Sequence, residues 1–326
     1  MPDLCIYSRD CVERHFTFDV AIPAMAQAAR AISSGADACP SRCSVTVSQS
    51  GGQMLVMPGS AKSLDYYGIK TLSIEPGNRS TERPVIQGFI ALFDRATGAP
   101  RALIDGAVIT AVRTAAASAV TTDCLARPDV RSHGILGTGV QAKQHAISIP
   151  HVRPGIERTV IWGRDSAKAE GLAAHLSAEL QATVEAGTQD DVLGCDIVSA
   201  VTASSTPVVH KDKLSTGAHI NLVGSHTPDA REACSDTMAT GRIYVDSRAA
   251  ALCEAGDLLI PIAEGAITDA DIHGEIGSVL SGEGGGRTSG EDITIYKSLG
   301  NALQDLFGAC ALVEAAGDDA VKVAFS

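Results

Sequence analysis

The chain has 326 residues, 45% of them hydrophobic and 20% charged, with a formal net charge of -12. At roughly 150 residues per domain this is the length of about two domains, and such a composition excludes a disordered chain. The acidic balance repels phosphate backbones and argues against a nucleic-acid partner, while an aromatic content of only 4% suits close-packed α/β layers better than a β-sandwich.

The N-terminal run MPDLCIYSRDCVERHF carries Asp3, Asp10 and Glu13 and lacks the apolar stretch of a signal peptide. No run approaches the roughly 20 apolar residues of a membrane span. The nine cysteines are scattered from Cys5 to Cys310, and the nearest pair, Cys39 and Cys43, has no second pair and no nearby histidine. That spacing makes a poor zinc site, so no metal is expected. Reduced thiols in a cytoplasmic protein are the simplest reading.

Residues Val20–Ser33 read as a helix stopped by Gly35. Strand-like runs follow at Cys43–Ser48, Gln53–Met57, Gly68–Ile74, Val85–Phe93 and Ala102–Ile104, which suggests an antiparallel or mixed sheet. The Ala-rich stretch TAVRTAAASAVTTDCLA is a long helix. After Pro128, strands at HGILG, Thr159–Trp162, Ile197–Ala200, His219–Val223 and Arg242–Val245 alternate with helices at Gln141–Ser148 and Ser166–Leu180. That pattern predicts a parallel sheet covered on both faces. SGEGGGRTSGED has no preceding strand and is expected to be a mobile loop, and Ser298–Ala316 reads as an amphipathic helix. The predicted fold class is α/β: a Rossmann-type doubly wound sheet, residues 121–297, inserted into a smaller α+β substrate-binding and dimerisation domain, residues 1–120 plus 298–326.

The sharpest motif is GILGTGVQAKQHA. Gly137, Gly139 and Ala142 occupy G-x-G-x-x-A positions between an apolar strand and a helix. Gly137 allows the tight turn, Gly139 lets the backbone approach a pyrophosphate, and Ala142 lets the helix pack on the strand. Thr138, Val140 and Gln141 belong to the same turn. At the end of the next strand, where an NAD site usually carries an acid, stand Gly163 and Arg164, which favours NADP(H) over NAD(H). Asp165, two residues on, keeps an acceptor for NAD(H) in play. The strand-end residues Val201, Thr202, Ala203, Val223 and Gly224 complete the expected cofactor contacts, because the carboxyl ends of parallel strands face the ligand crevice.

Alternation places Gly68, Lys70, Leu72 and Ile74 on one strand face. A lysine there is either desolvated, its pKa lowered for proton transfer, or it snorkels to water. Arg113 is a lone guanidinium in an apolar helix, suited to an anion or a structural ion pair. Arg42, just before a strand, is placed to clamp a carboxylate. His226 follows a parallel strand, so it either reaches the crevice side or is a surface or capping histidine.

Four segments together resemble the ornithine cyclodeaminase/μ-crystallin family: Met57–Lys70 (MPGS…YYGIK), Ala91–Ala119 (ALFDRATGAPRALIDGAVITAVRTAAASA), Gly134–Ala142 (GILGTGVQA) and Ile293–Leu306 (ITIYKSLGNALQDL). The resemblance covers nearly the whole chain. It implies a homodimer, a lysine (Lys70) beside the nicotinamide, arginines (Arg42 and Arg113) on a substrate carboxylate, and Arg113 with Thr114 bordering the cofactor. Met57 and His226 join the implied substrate set. Ornithine cyclodeaminases carry an aspartate in the strand-end loop where this chain has His226, so the resemblance is to the ketimine and Δ1-pyrroline-2-carboxylate reductases. The expected activity is NAD(P)H-dependent reduction of Δ1-pyrroline-2-carboxylate or Δ1-piperideine-2-carboxylate to L-proline or L-pipecolate. The alternatives are an ornithine cyclodeaminase, an alanine-type or opine-like dehydrogenase, or a non-catalytic small-ligand binder.

Overall fold

A computed structural model of the chain describes residues 3–35, 37, 39–40, 42–48 and 51–325. It divides into two compact units, Met1–Arg113 with Gly300–Ser326, and Thr114–Leu299. The first unit runs through β1 (Leu4–Tyr7), α1 (Arg9–His15), α2 (Phe18–Ser33), β2 (Cys43–Thr46), β3 (Gln53–Ser60), β4 (Tyr66–Ile74), β5 (Ile86–Asp94) and β6 (Pro100–Asp105) into α3 (Gly106–Leu125), within which the division falls. The second continues with β7 (Ser132–Leu136), α4 (Val140–Val152), β8 (Arg158–Trp162), α5 (Ser166–Leu180), β9 (Val184–Ala186), α6 (Gln189–Leu193), β10 (Ile197–Ala200) and β11 (His219–Leu222). Then come α7 (Ser235–Thr240), β12 (Arg242–Val245), α8 (Arg248–Glu254), α9 (Gly256–Ala263), β13 (Ile272–Glu275), α10 (Ile276–Leu280) and β14 (Thr294–Lys297). The chain returns to the first unit for α11 (Ala302–Ala316) and β15 (Val321–Val323).

The first unit holds a mixed sheet in the order β15-β1-β6-β5-β4-β3-β2, with β1 parallel to β6 and the other pairs antiparallel. Leu55, Met57, Leu72, Ile90, Leu92 and Ile104 point to its buried face, and α11 packs on β3, β4, β5 and α2. The predicted amphipathic helix is instead a core helix: Ala302–Cys310 are buried without a break, Gln304 and Asp305 included. A helix buried all round shows no polar stripe. Ser298–Asn301 lie outside it, because Gly300 takes φ +74 and Asn301 caps the helix, its Oδ1 accepting from the amides of Leu303 and Gln304 at 3.1 Å each.

On the opposite sheet face Val45, Met54 and Phe89 are exposed. At the other end of α11, the Cys11 thiol donates to the Asp319 carbonyl at 2.8 Å, while Arg14 and His15 both meet Asp319 Oδ2 at 2.8 Å. These contacts clasp α1 to the turn that follows α11.

The second unit is built on an all-parallel sheet in the order β13-β12-β14-β11-β10-β7-β8-β9. Strand order reverses between β7 and β10, the point where doubly wound sheets open a ligand crevice. One face packs on Ala142, Ala146, Ala169 and Leu176, the other on Leu193, Met238 and Leu258. Burial on both faces explains the continuous apolar strands. Three histidines are fully buried in this unit. His133 meets Ser199 Oγ at 3.0 Å, His145 meets Ser118 Oγ at 2.9 Å, and His219 meets Thr294 Oγ1 at 2.9 Å.

The Gly-rich segment expected to be mobile is pinned. Arg287 donates to the Leu125 carbonyl at 2.7 Å and to Thr294 Oγ1 at 3.0 Å, and Tyr244 Oη donates to the Gly285 carbonyl at 2.6 Å. Among the described residues no helix is long and apolar enough to cross a membrane.

Candidate active site

The pleat of β4 buries Gly68, Lys70 and Leu72 and turns Tyr67 and Ser73 outward. Lys70 is thereby carried beneath α11, where its ammonium pairs with Asp305 Oδ2. The other oxygen of the same carboxylate accepts from Arg113 Nε at 3.0 Å, and Arg113 Nη1 donates to Gln304 Oε1 at 3.0 Å. Lys70, Arg113 and Asp305 are 2%, 5% and 1% exposed. Two cations thus share one carboxylate in a desolvated site, which leaves a positive charge in surplus. Such a charge is costly in isolation and well suited to receive an anion. Burial pulls the Lys70 ammonium down to about 8, against the opposing pull of Asp305 and with help from Arg113.

Gly300 closes this cluster. A Cβ there would collide with Arg113 Nη1, and its positive φ already disfavours any side chain. Its carbonyl accepts from Arg42 Nη2 at 3.1 Å. Asn301 Nδ2 is buried and meets no acceptor among the described residues. Met57 is the cross-strand neighbour of Lys70 and is itself buried. Lys70, Arg113, Arg42 and Met57, predicted from the sequence as a substrate set, therefore all belong to the first unit.

In the second unit, β7 runs into Gly137 at φ +128, where a Cβ would meet the Val201 carbonyl at 2.8 Å. Only glycine fits that turn. Gly139 then caps α4 with no side-chain hydrogen bond and open space around its α-carbon, so the helix amides face a void that an anion can enter. A cleft lined by Gly137, Thr138, Gly139, Trp162, Gly163, Arg164, Val201, Thr202, Ala203, Ser204 and Val208 opens here, at the strand-order reversal. The donor-rich turn, the missing side chains and the strand-end position fit a dinucleotide.

Asp165 does not line the cleft; it caps α5, accepting from the Lys168 amide at 3.3 Å. Val140, Gln141, Val223 and Gly224 flank the cleft lining rather than forming it. His226 is exposed in the loop after β11, and Thr114 is buried in α3.

Sequence reasoning misses Asp305, Gln304, Gly300 and Asn301. A signal for Asp305 exists: it is the one charged residue of the run ALQDLFGACAL, the same cue that singles out Arg113.

A family model described as the ornithine cyclodeaminase/mu-crystallin family matches residues 4–319. The chain is 38% identical over 280 residues to a Delta(1)-pyrroline-2-carboxylate reductase of Bacillus cereus, covering 85% of this chain and 86% of that protein. It is 36% identical over 270 residues to the ketimine reductase mu-crystallin of Mus musculus, covering 83% and 82%. Among solved structures, the Delta(1)-pyrroline-2-carboxylate reductase of Thermococcus litoralis, in complex with NADH and L-proline, matches with a TM-score of 0.93 and 32% identity, over 98% of this chain and 100% of that one.

Proposed function

The chain belongs to the ornithine cyclodeaminase/mu-crystallin family, and from that premise we propose that it is an NAD(P)H-dependent reductase of small cyclic α-imino acids. The substrates are Δ1-pyrroline-2-carboxylate and its six-membered homologue, and the products are L-proline and L-pipecolate. The observation that carries this reading is the surplus positive charge of the Lys70–Arg113–Asp305 cluster.

The substrate carboxylate neutralises that charge, held by Arg113 with Arg42 in charge-assisted hydrogen bonds. Asp305 orients both Lys70 and Arg113, so neither cation needs to reorganise when the anion arrives. Lys70, with a pKa near 8, holds a proton at neutral pH and passes it to the imine nitrogen directly or through water. A bound reduced nicotinamide supplies the hydride for the imine carbon. His226 is assigned to tuning the proton supply or to shaping the pocket.

NADP(H) is the favoured cofactor. Gly163 cannot become an acid without moving Thr138, whose Cγ2 would lie 2.5 Å from the added Cβ. Arg164 lines the cleft beside it, while Asp165 is occupied in capping α5. The 2′-phosphate thus finds a cation and no facing carboxylate.

The working form in this proposal is a cytoplasmic homodimer. Its contact is the apolar sheet face of Val45, Met54 and Phe89, whose exposures of 39–51% are high for large apolar side chains.

The test is the purified protein with NADPH, and separately NADH, against Δ1-pyrroline-2-carboxylate, followed by loss of reduced-nicotinamide absorbance. Turnover with NADPH exceeding that with NADH is expected. Silence with both cofactors overturns the substrate assignment.

A further inference from the structure

Behind the cleft wall, the second unit buries three charges for which the proposed reaction has no use. Glu232, Asp257 and Lys297 are each 0% exposed. Lys297, the last residue of β14, donates through Nζ to the Ser225 carbonyl at 2.6 Å and pairs with Asp257 Oδ2 at 3.0 Å. Asp257 Oδ1 accepts from the amides of Glu232 at 2.7 Å and Ala233 at 3.0 Å, and so fixes the backbone that carries Glu232.

Glu232 itself faces two loops. Its Oε1 accepts from both the amide and the hydroxyl of Thr202 at 2.8 Å, and its Oε2 accepts from the amides of Gly224 at 2.6 Å and Ser225 at 3.3 Å. One carboxylate therefore ties the segment after β10 to the segment after β11. Thr202 lines the dinucleotide cleft together with Val201, Ala203 and Ser204.

The chemistry explains why the group is an acid despite the cost of burying it. Backbone N–H donors point at it from both sides, and only a carboxylate accepts through both of its heteroatoms. A carboxamide turned either way presents an NH2 to one loop and leaves an amide there without a partner. Two carboxylates and one ammonium leave a net negative charge, which six converging donor groups, four on Glu232 and two on Asp257, stabilise.

We propose that Glu232 is a positioning residue for the dinucleotide: by accepting from both loops at once it sets the place of Thr202, and with it the wall against which the cofactor lies. The choice of cofactor as probe rests on the reductase reading above. The geometry of Glu232 does not.

The experiment compares wild-type protein with Glu232→Gln and Glu232→Asp, titrating NADPH by its fluorescence without substrate, well below each variant's melting temperature. A stranded amide corresponds to about a tenfold loss, so Glu232→Gln should raise the NADPH Kd about tenfold. In steady state its cofactor KM should rise more than its kcat falls. Glu232→Asp keeps the charge but reaches only one loop, and should give an intermediate Kd. Should Glu232→Gln fail to fold, the aspartate variant carries the test alone.

A Kd equal to wild type in a folded variant, even one with a lowered melting temperature, reduces Glu232 to a purely structural group and overturns the inference. Wild-type protein that binds neither NADPH nor NADH overturns the nicotinamide reading instead, so the two failures are distinguishable.

Discussion

Arg113 and Asp305 lie 192 residues apart in sequence, yet Arg113 Nε donates to Asp305 Oδ1 at 3.0 Å in a buried site. The same carboxylate holds Lys70 through its second oxygen. Asp305→Asn keeps the shape and removes the shared charge. Lys70 then loses the group that sustains its protonated form, and general-acid assistance of this kind contributes about a hundredfold or more. Turnover should fall about a hundredfold, with a lower melting temperature, because breaking a buried pair costs about 3–5 kcal/mol. Steady-state kinetics beside a thermal melt check both; wild-type turnover would remove Asp305 from the site.

The depressed Lys70 pKa fixes the sign of the pH dependence. If the protonated form is the competent one, imine reduction is constant below about pH 8 and falls about tenfold per pH unit above it. In Lys70→Arg the charge no longer titrates in this range, so the residual activity should lose that descending limb. A kcat/KM profile from pH 6 to 10 decides it. A wild-type profile flat through pH 9.5 contradicts the proton-donor role.

Arg164 should discriminate between cofactors. Arg164→Ala removes the cation beside Gly163 and should lower kcat/KM for NADPH about tenfold, in line with the loss of one charge-assisted hydrogen bond, while changing that for NADH much less. An equal loss with both would place Arg164 on a phosphate common to the two.

The three buried histidines make the second unit acid-labile. Burial pushes His133 and His219 down to about 3 and His145 to about 4, so the folded chain keeps them neutral. The unfolded chain takes up those protons as the pH falls below about 6.5, so their contribution is complete above that pH and is lost on acidification. At about 1.4 kcal/mol per pH unit each, the three together remove about 4 kcal/mol per unit near pH 5. Urea melts followed by emission of Trp162, the chain's one tryptophan and a member of this unit, should show midpoints dropping steadily from pH 6.5 to 4.5. Constant midpoints over that range would refute the assignment.

The apolar sheet face of the first unit is open to a direct test. Phe89→Glu with Val45→Lys places charges beside Met54, and light scattering should find the variant at half the wild-type mass. A monomeric wild type would dispose of the dimer.

Much of this layout is legible in the amino-acid sequence itself. Alternation along β4 exposes Lys70 as an oddity on an apolar face, and a guanidinium among alanines marks Arg113. Asp305 obeys the same rule yet escapes notice, because an acid on a helix taken for amphipathic needs no explanation. Its burial comes from packing of α11 against α2 and three strands, which no local period encodes. Glu232, Asp257 and Lys297 are out of reach for another reason. Each belongs to a different segment of the chain, and their common point exists only once β14 lies beside β11.

The surplus charge of the Lys70–Arg113–Asp305 cluster has a kinetic consequence beyond capture. In the proposed reaction it grips the carboxylate, a part of the substrate that reduction leaves untouched. Imino acid and amino acid therefore compete for the same hold on nearly equal terms, a case of uniform binding that speeds no step. Progress curves should bend early as product accumulates, and the only handle left for expelling it is the ring nitrogen, which changes from a planar imine to a tetrahedral ammonium.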